Sequence, residues 1–179
     1  VYKRQHNIEV EDEATAFFEY ENGATGSFIG STGEAPGVNR FDIIGDQGML
    51  SYDGEKLLHF ENRPPTSQFS QTTSEMFGQP EVCITDLSVR SPVNQHAIIL
   101  QNFINAISSN ESLIAPAEEG LKSLTIANAI LLSAWDREQI QIPMESARFH
   151  KALNARRDQS RLRVASEAEV NINIDASFR

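Results

Sequence analysis

The sequence predicts an α+β fold, an open and mainly antiparallel β-sheet with helices packed on one face, and no Rossmann unit. Residues 13–87 break into short β-prone runs divided by turn signals about every ten residues, the spacing of an antiparallel meander. Beyond residue 94 the apolar period changes to three and four, the period of helices. Strands therefore come first and helices second; an alternation of the two would have argued for a parallel sheet.

Taken in order, residues 14–20 are aromatic and β-prone, and Glu21-Asn22-Gly23 supplies a turn that tolerates positive φ. Residues 24–32 form a second strand, and Gly33-Glu34-Ala35-Pro36-Gly37 is a loop by composition. Phe41-Asp42-Ile43-Ile44 resumes the strand pattern, and Gly45-Asp46-Gln47-Gly48 turns it into a run over 49–52. Asp53-Gly54 then closes a hairpin with residues 56–60. Residues 63–79, rich in Pro, Ser, Thr and Gln, read as an exposed excursion, and residues 82–89 as a sixth strand.

The helical half begins at Ser91-Pro92 or Asn94, with Ile99, Leu100, Phe103, Ile104 and Ile107 on one face that should pack on a core. Ser108-Ser109-Asn110-Glu111 ends that helix. Pro116 opens the next, with Glu118 and Glu119 set against its positive end and Leu121, Leu124, Asn128, Leu131, Leu132 and Trp135 as its stripe. Residues 139–142 alternate as a short strand stopped by Pro143, and a third helix from about Ser146 carries Phe149 and Leu153. The tail from 164 to 179 contains a polar alternation at 170–174 and is assigned no function.

Composition sets limits on partners. The 179 residues hold 25 acidic and 15 basic side chains, a net charge of −10, without the basic face that nucleic acid or an anionic membrane requires. No apolar run approaches the roughly 20 residues of a bilayer span. Cys83 stands alone, so no internal disulfide points to an oxidising compartment, and a cytoplasmic location is expected. A single domain of this length is expected to bury roughly 70% of its unfolded surface. Val1-Tyr2-Lys3-Arg4-Gln5 resembles a translated transposase sequencing adapter, as found on metagenomic gene fragments, and is set aside from the fold. On that reading the domain is 6–163, with the protein continuing upstream.

Most chemical motifs are missing. Gly23, Gly26 and Gly30 have the wrong spacing for a dinucleotide loop and fall in strands, so no cofactor site is expected in this chain. His6, His59, His96, His150 and Cys83 lack the short spacings of a metal site. The acidic run Glu9, Glu11, Asp12, Glu13 reads as a solvated edge. The basic run Arg148, Lys151, Arg156, Arg157, Arg161, Arg163 reads as a solvated helix face or a contact with an acidic neighbour. Two features remain. The loop from Ser31 through Thr32, Glu34 and Asn39 to Arg40 gathers hydroxyl, carboxylate, amide and guanidinium groups between strands, either as a polyol-binding rim or as an ordinary polar loop. His96, at a helix start, either faces a cleft or serves capping and packing.

Several segments together resemble the C-terminal half of the glucose-fructose oxidoreductase/inositol dehydrogenase/rhizopine catabolism (Gfo/Idh/MocA) family. They are residues 6–16, Tyr20-Glu21-Asn22-Gly23-Ala24-Thr25-Gly26, Ser31-Thr32-Gly33-Glu34-Ala35-Pro36-Gly37, Asn39-Arg40-Phe41 and Gly45-Asp46-Gln47-Gly48. Phe77-Gly78-Gln79-Pro80-Glu81, His96 with Asn102-Phe103, Glu118-Glu119-Gly120 and Ala127-Asn128-Ala129 continue the likeness, to about residue 153. The resemblance implies a substrate-binding and oligomerisation domain whose NAD or NADP is bound by a separate N-terminal Rossmann domain. It also implies a sugar or cyclitol substrate and a homo-oligomer formed through the open sheet. Glu55-Lys56 is followed by Leu57 and is not the family's Glu-Lys-Pro, and no Asp has a His four residues later, so the catalytic lysine and histidine are expected upstream. They would act as acid and base on a hydroxyl while hydride passes to the nicotinamide. Ser31, Thr32, Glu34, Asn39, Arg40 and His96 would line the substrate, and this chain alone would be inactive. The alternative is a free-standing, non-enzymatic ligand-binding or dimerisation module.

Overall fold

A computed structural model describes residues 8–88 and 94–161. It is α+β and antiparallel, as the sequence predicts; the described residues form two open sheets and four helices, where the sequence led to one sheet and three helices. The chain divides into two compact units, one of Val1–Gly30 with Gly120–Arg179 and the other of Ser31–Glu119.

In the first unit, β1 (Glu13–Glu19) and β2 (Thr25–Ser31) form a two-stranded sheet. The expected turn joins them: Gly23, at φ 83°, donates its N–H to the Tyr20 carbonyl at 2.9 Å, and Asn22 Oδ1 accepts the Ala24 N–H at 3.0 Å. Helix α3 (Ala117–Asp136) follows Pro116 with Glu118 and Glu119 in its first turn, and buries Ala129 and Leu132. Helix α4 (Ser146–Arg157) sets Phe149 against Trp135 of α3, ring centroids 5.6 Å apart and nearly parallel. The Arg156 guanidinium lies 3.9 Å from the Trp135 ring, and Trp135 Nε1 donates to Glu11 Oε1 at 3.1 Å.

These contacts correct two sequence readings. The acidic run is no solvated edge: Asp12 is buried at 6%, Glu11 holds Trp135, and Glu9 accepts hydrogen bonds from Ser160 Oγ and the Arg161 N–H. Tertiary partners far along the chain claim these carboxylates, which local charge patterning cannot reveal. In the basic run, Arg148 meets the acidic neighbours Asp136 and Glu138 as anticipated, whereas Arg156 lies on an aromatic face. The expected strand at 139–142 is also absent. Four alternating residues found no partner strand, and Gln139 instead uses its side chain to reach Glu19 at 3.2 Å.

The second unit is built on one four-stranded antiparallel sheet in the order β3 (Phe41–Gly45), β4 (Gly48–Tyr52), β5 (Leu57–Arg63), β6 (Glu81–Asp86). Gly45 pairs with Gly48 across the first hairpin, so Ile44 faces Met49, which faces Phe60, which faces Ile84 along one side of the sheet. On the other side Ile43, Leu50 and His59 stand in a row. Gly48 has no substitute: at φ 136°, a Cβ there would lie 1.8 Å from the Phe60 carbonyl oxygen.

The segment read as an exposed excursion contains a helix, α1 (Thr66–Thr72). Its N-terminal N–H groups are satisfied from a distance, the Asp46 carbonyl accepting from Thr66 N and Asp46 Oδ1 from Ser67 N at 2.7 Å. A cap supplied from twenty-one residues away leaves no local mark. Helix α2 (Gln95–Ser109) starts after Asn94, one of the two expected starts; Ser91 and Pro92 lie outside the described residues, as do Val89 and the tail from 164.

The expectation that the α2 stripe packs on a core is not met among the described residues. Leu100 is 64% exposed and Ile107 74%, with Ile99, Phe103 and Ile104 exposed beside them. The sheet is equally bare, Ile44 being 77% exposed. Among the described residues only Asp12, Asn102, Ala129 and Leu132 are buried, far short of the core expected for this length. Amphipathic periodicity states which side chains avoid water and leaves open which molecule covers them.

Candidate functional site

The polar loop of residues 31–40 connects β2 to β3 and lies at one end of the second unit's sheet. Its first residue, Ser31, ends β2 and accepts the Gly33 N–H on its hydroxyl at 3.2 Å, a local turn that fixes the way out of the strand. Gly37 sits at φ 71°, where an added Cβ would come within 3.2 Å of the Glu34 carbonyl, so the loop doubles back at that point. Thr32 and Glu34 are exposed.

The far end of the loop is more firmly held. Asn39 lies against the β4–β5 turn, its carbonyl 3.5 Å from where a Gly54 Cβ would stand. That turn is organised by Asp53, whose Oδ1 accepts the N–H groups of Lys56 at 2.8 Å and Glu55 at 3.0 Å. These two backbone donors hold the Asp53 carboxyl below its ordinary value, that of Lys56 most strongly. Arg40 donates from Nε to Asp42 Oδ2 at 2.8 Å, while Ser51 Oγ donates to Asp42 Oδ1 at 2.6 Å. The Asp42 carboxyl is likewise pulled down, first by the Ser51 hydroxyl and then by Arg40.

Of the six residues singled out from the sequence, Ser31, Thr32, Glu34, Asn39 and Arg40 thus share one loop, and Arg40 is fixed there by its ion pair with Asp42. His96 stands on a different element, exposed in the first turn of α2 as expected of a helix-start position. Sequence reasoning missed Asp42 and Ser51. Arg40 and Asp42, of opposite charge two residues apart, carried a readable signal; Ser51 enters only through the Asp42–Ser51 register pair.

A shallow recess of about 260 Å³ opens on the same unit, lined by Ile44, Gly45, Gly48, Met49, Phe60, Asn62, Thr66 and Val82. Its polar groups are engaged with each other, Asn62 Nδ2 donating to Thr66 Oγ1 at 2.9 Å. No group of His, Cys, Asp and Glu among the described residues is arranged to hold a metal ion. No helix among them is long and apolar enough to cross a membrane.

An open antiparallel sheet with separate helices is an α+β arrangement, and the polar loop lies at its strand ends. Comparison with protein families finds a likeness over the first part of the chain. Residues 1–51 match the GFO/IDH/MocA C-terminal domain, a domain of an oxidoreductase family, which over that stretch bears out the resemblance drawn from the sequence. The match runs from Val1 through β1, β2 and β3 into β4, and includes the whole 31–40 loop and both Asp42 and Ser51. No curated protein matches the chain. The family is generally NAD(P)-dependent, yet the described residues do not fit a dinucleotide. Gly23 lies in a hairpin turn and Gly26 and Gly30 within β2, none before a helix whose N-terminal N–H groups would take the pyrophosphate.

Proposed function

We propose that this chain is the substrate-binding and oligomerisation domain of a cytoplasmic NAD(P)-dependent oxidoreductase that acts on a hydroxyl of a sugar, sugar derivative or cyclitol. The nicotinamide is bound, and the acid/base residues are supplied, by a Rossmann domain outside the described residues, so the chain by itself turns nothing over. The observation that carries this reading is the family match over residues 1–51, which contains the polar loop entire. Within the loop, Ser31, Thr32, Glu34 and Asn39 offer donors and acceptors suited to a polyol, and His96 adds an imidazole from α2. The exposed Ile44 and Ile84, on one side of the sheet, support self-association through that side.

The test is to read the flanking DNA and express the chain joined to whatever open reading frame continues upstream, following NAD(P)H absorbance with sugars and cyclitols as substrates. Turnover by the joined protein, and none by the chain alone, is expected. Saturable micromolar binding of NAD(H) or NADP(H) to the chain alone would overturn the assignment, and an upstream frame without a strand, Gly-rich turn and helix would favour a free-standing binding module.

A further inference from the structure

Arg40 is anchored along one edge of its guanidinium. Nε donates to Asp42, the Arg40 side chain is 56% exposed, and neither Nη1 nor Nη2 has an acceptor among the described residues. A guanidinium held at Nε keeps its terminal nitrogens as a planar two-donor fork, the geometry that matches a carboxylate or a phosphate. The anchor stands on rigid parts: Asp42 is on β3, Ser51 is its register partner on β4, and the preceding Asn39 is backed by the Gly54 turn. Neutral hydroxyls are already provided for by Ser31, Thr32 and Asn39, whereas a cation presented outward in a chain of net charge −10 is suited to an anion.

We infer that Arg40 is an anion-recognising residue, that the substrate of this domain is a sugar or cyclitol derivative bearing a carboxylate or a phosphate, and that Asp42 and Ser51 are its positioning residues. The inference rests on the reading of the loop as a substrate wall given above. It narrows that reading from polyols in general to their acidic derivatives.

The test is an NMR titration of the full chain with glucuronate, glucose 6-phosphate, glucose, myo-inositol and inorganic phosphate, observing the Arg40 Nε–H and the amides of residues 31–42. Glucuronate or glucose 6-phosphate should shift these signals at concentrations at least about tenfold below those needed for glucose, the range of one charge-assisted hydrogen bond. Which of the two does so distinguishes a sugar acid from a sugar phosphate. Arg40→Gln should abolish the preference while leaving the weaker glucose response intact, and Arg40→Lys should restore part of it. Ser51→Ala and Asp42→Asn should shrink the preference, with Ser51→Thr restoring it, a pattern that a purely structural role would not produce. Equal responses to glucose and both anionic sugars overturn the inference and leave the substrate wall standing. So does inorganic phosphate binding as tightly as the sugar anions, which would mark a general ion contact. If no sugar or cyclitol moves the loop, the substrate-wall reading falls, and the inference with it.

Discussion

Replacing Asn102 by alanine tests whether the end of α2 is fixed by a single buried amide. Asn102 is 5% exposed, and its side chain makes three hydrogen bonds to the segment after the helix. Nδ2 donates to Glu111 Oε1 and to the Ser112 carbonyl, each at 2.9 Å, and Oδ1 accepts the Ile114 N–H at 2.9 Å. Glu111 is held a second time, its Oε2 accepting from Asn105 Nδ2 at 3.0 Å one helical turn on. Neutral hydrogen bonds contribute about 1 kcal/mol each and one to a carboxylate somewhat more. Water can reach the released partners in this partly exposed loop, so the net loss is about 2 kcal/mol rather than the full desolvation cost. With a urea dependence near 2 kcal/mol per molar for a chain of this size, the unfolding midpoint should fall by about 1 M. Hydrogen exchange at the Ile114 amide should accelerate by more than about tenfold, since that N–H loses its acceptor directly.

Asn102→Asp sharpens the test. It keeps an acceptor for Ile114 but places a second carboxylate against Glu111, so it should destabilise at least as much as the alanine variant. A midpoint shift under about 0.2 M in the alanine variant, with Ile114 exchange unchanged, would refute the assignment of Asn102 as the clamp of this connection.

Three further perturbations read other parts of the molecule. Gly48→Ala should unfold the β3–β4–β5 hairpins, costing several times the ~1 kcal/mol of an ordinary substitution, because the new Cβ meets the Phe60 carbonyl oxygen at 1.8 Å; near-native circular dichroism and midpoint would contradict that geometry. Arg156→Met removes the cation from the Trp135 face and should lower stability by about 0.5–1 kcal/mol and alter the emission of the single tryptophan, while a silent fluorescence spectrum would count against the stacking. Asp42, Asp53 and Asp86 all have carboxyls held below the ordinary 3.8, chiefly by the Ser51 hydroxyl, the Lys56 N–H and the Ser88 hydroxyl respectively. A depressed native value means the stabilisation is complete above 3.8 and fades as pH falls through the lower native values, so the midpoint should drop only in strong acid and drop less in Asp53→Asn.

Much of the strand meander was legible because its turns are chemical. Asn22-Gly23 and Asp53-Gly54 carry their positive φ values in the sequence itself, and the strands on either side begin within a residue or two of where the alternation places them. Helix α1 was not legible, since its cap is the distant Asp46 and its single large apolar residue, Phe69, establishes no period. The 139–142 segment failed for the opposite reason, a local alternation that no partner strand supports.

The candidate site lies between these cases, and its pairing could have been worked out from the turn alone. Gly45-Asp46-Gln47-Gly48, taken as a two-residue hairpin turn, places Gly45 opposite Gly48, and antiparallel pairing then steps outward one residue at a time on each strand. Three steps out, Asp42 stands opposite Ser51. Arg40, just before β3 and two residues before Asp42, reaches Asp42 through its Nε, so the chain of contacts from Ser51 through Asp42 to Arg40 starts from where one turn sits. The alternation also explains why the positioning pair is polar in a sheet whose next row on that side is Ile44 and Met49: the row beside the loop meets a guanidinium and the row beyond it does not. Inserting one residue into the 45–48 turn would move Asp42 out of register with Ser51 while leaving both in strands. If Arg40 orientation depends on that pair, the anion preference should vanish in the insertion variant although the loop sequence is untouched.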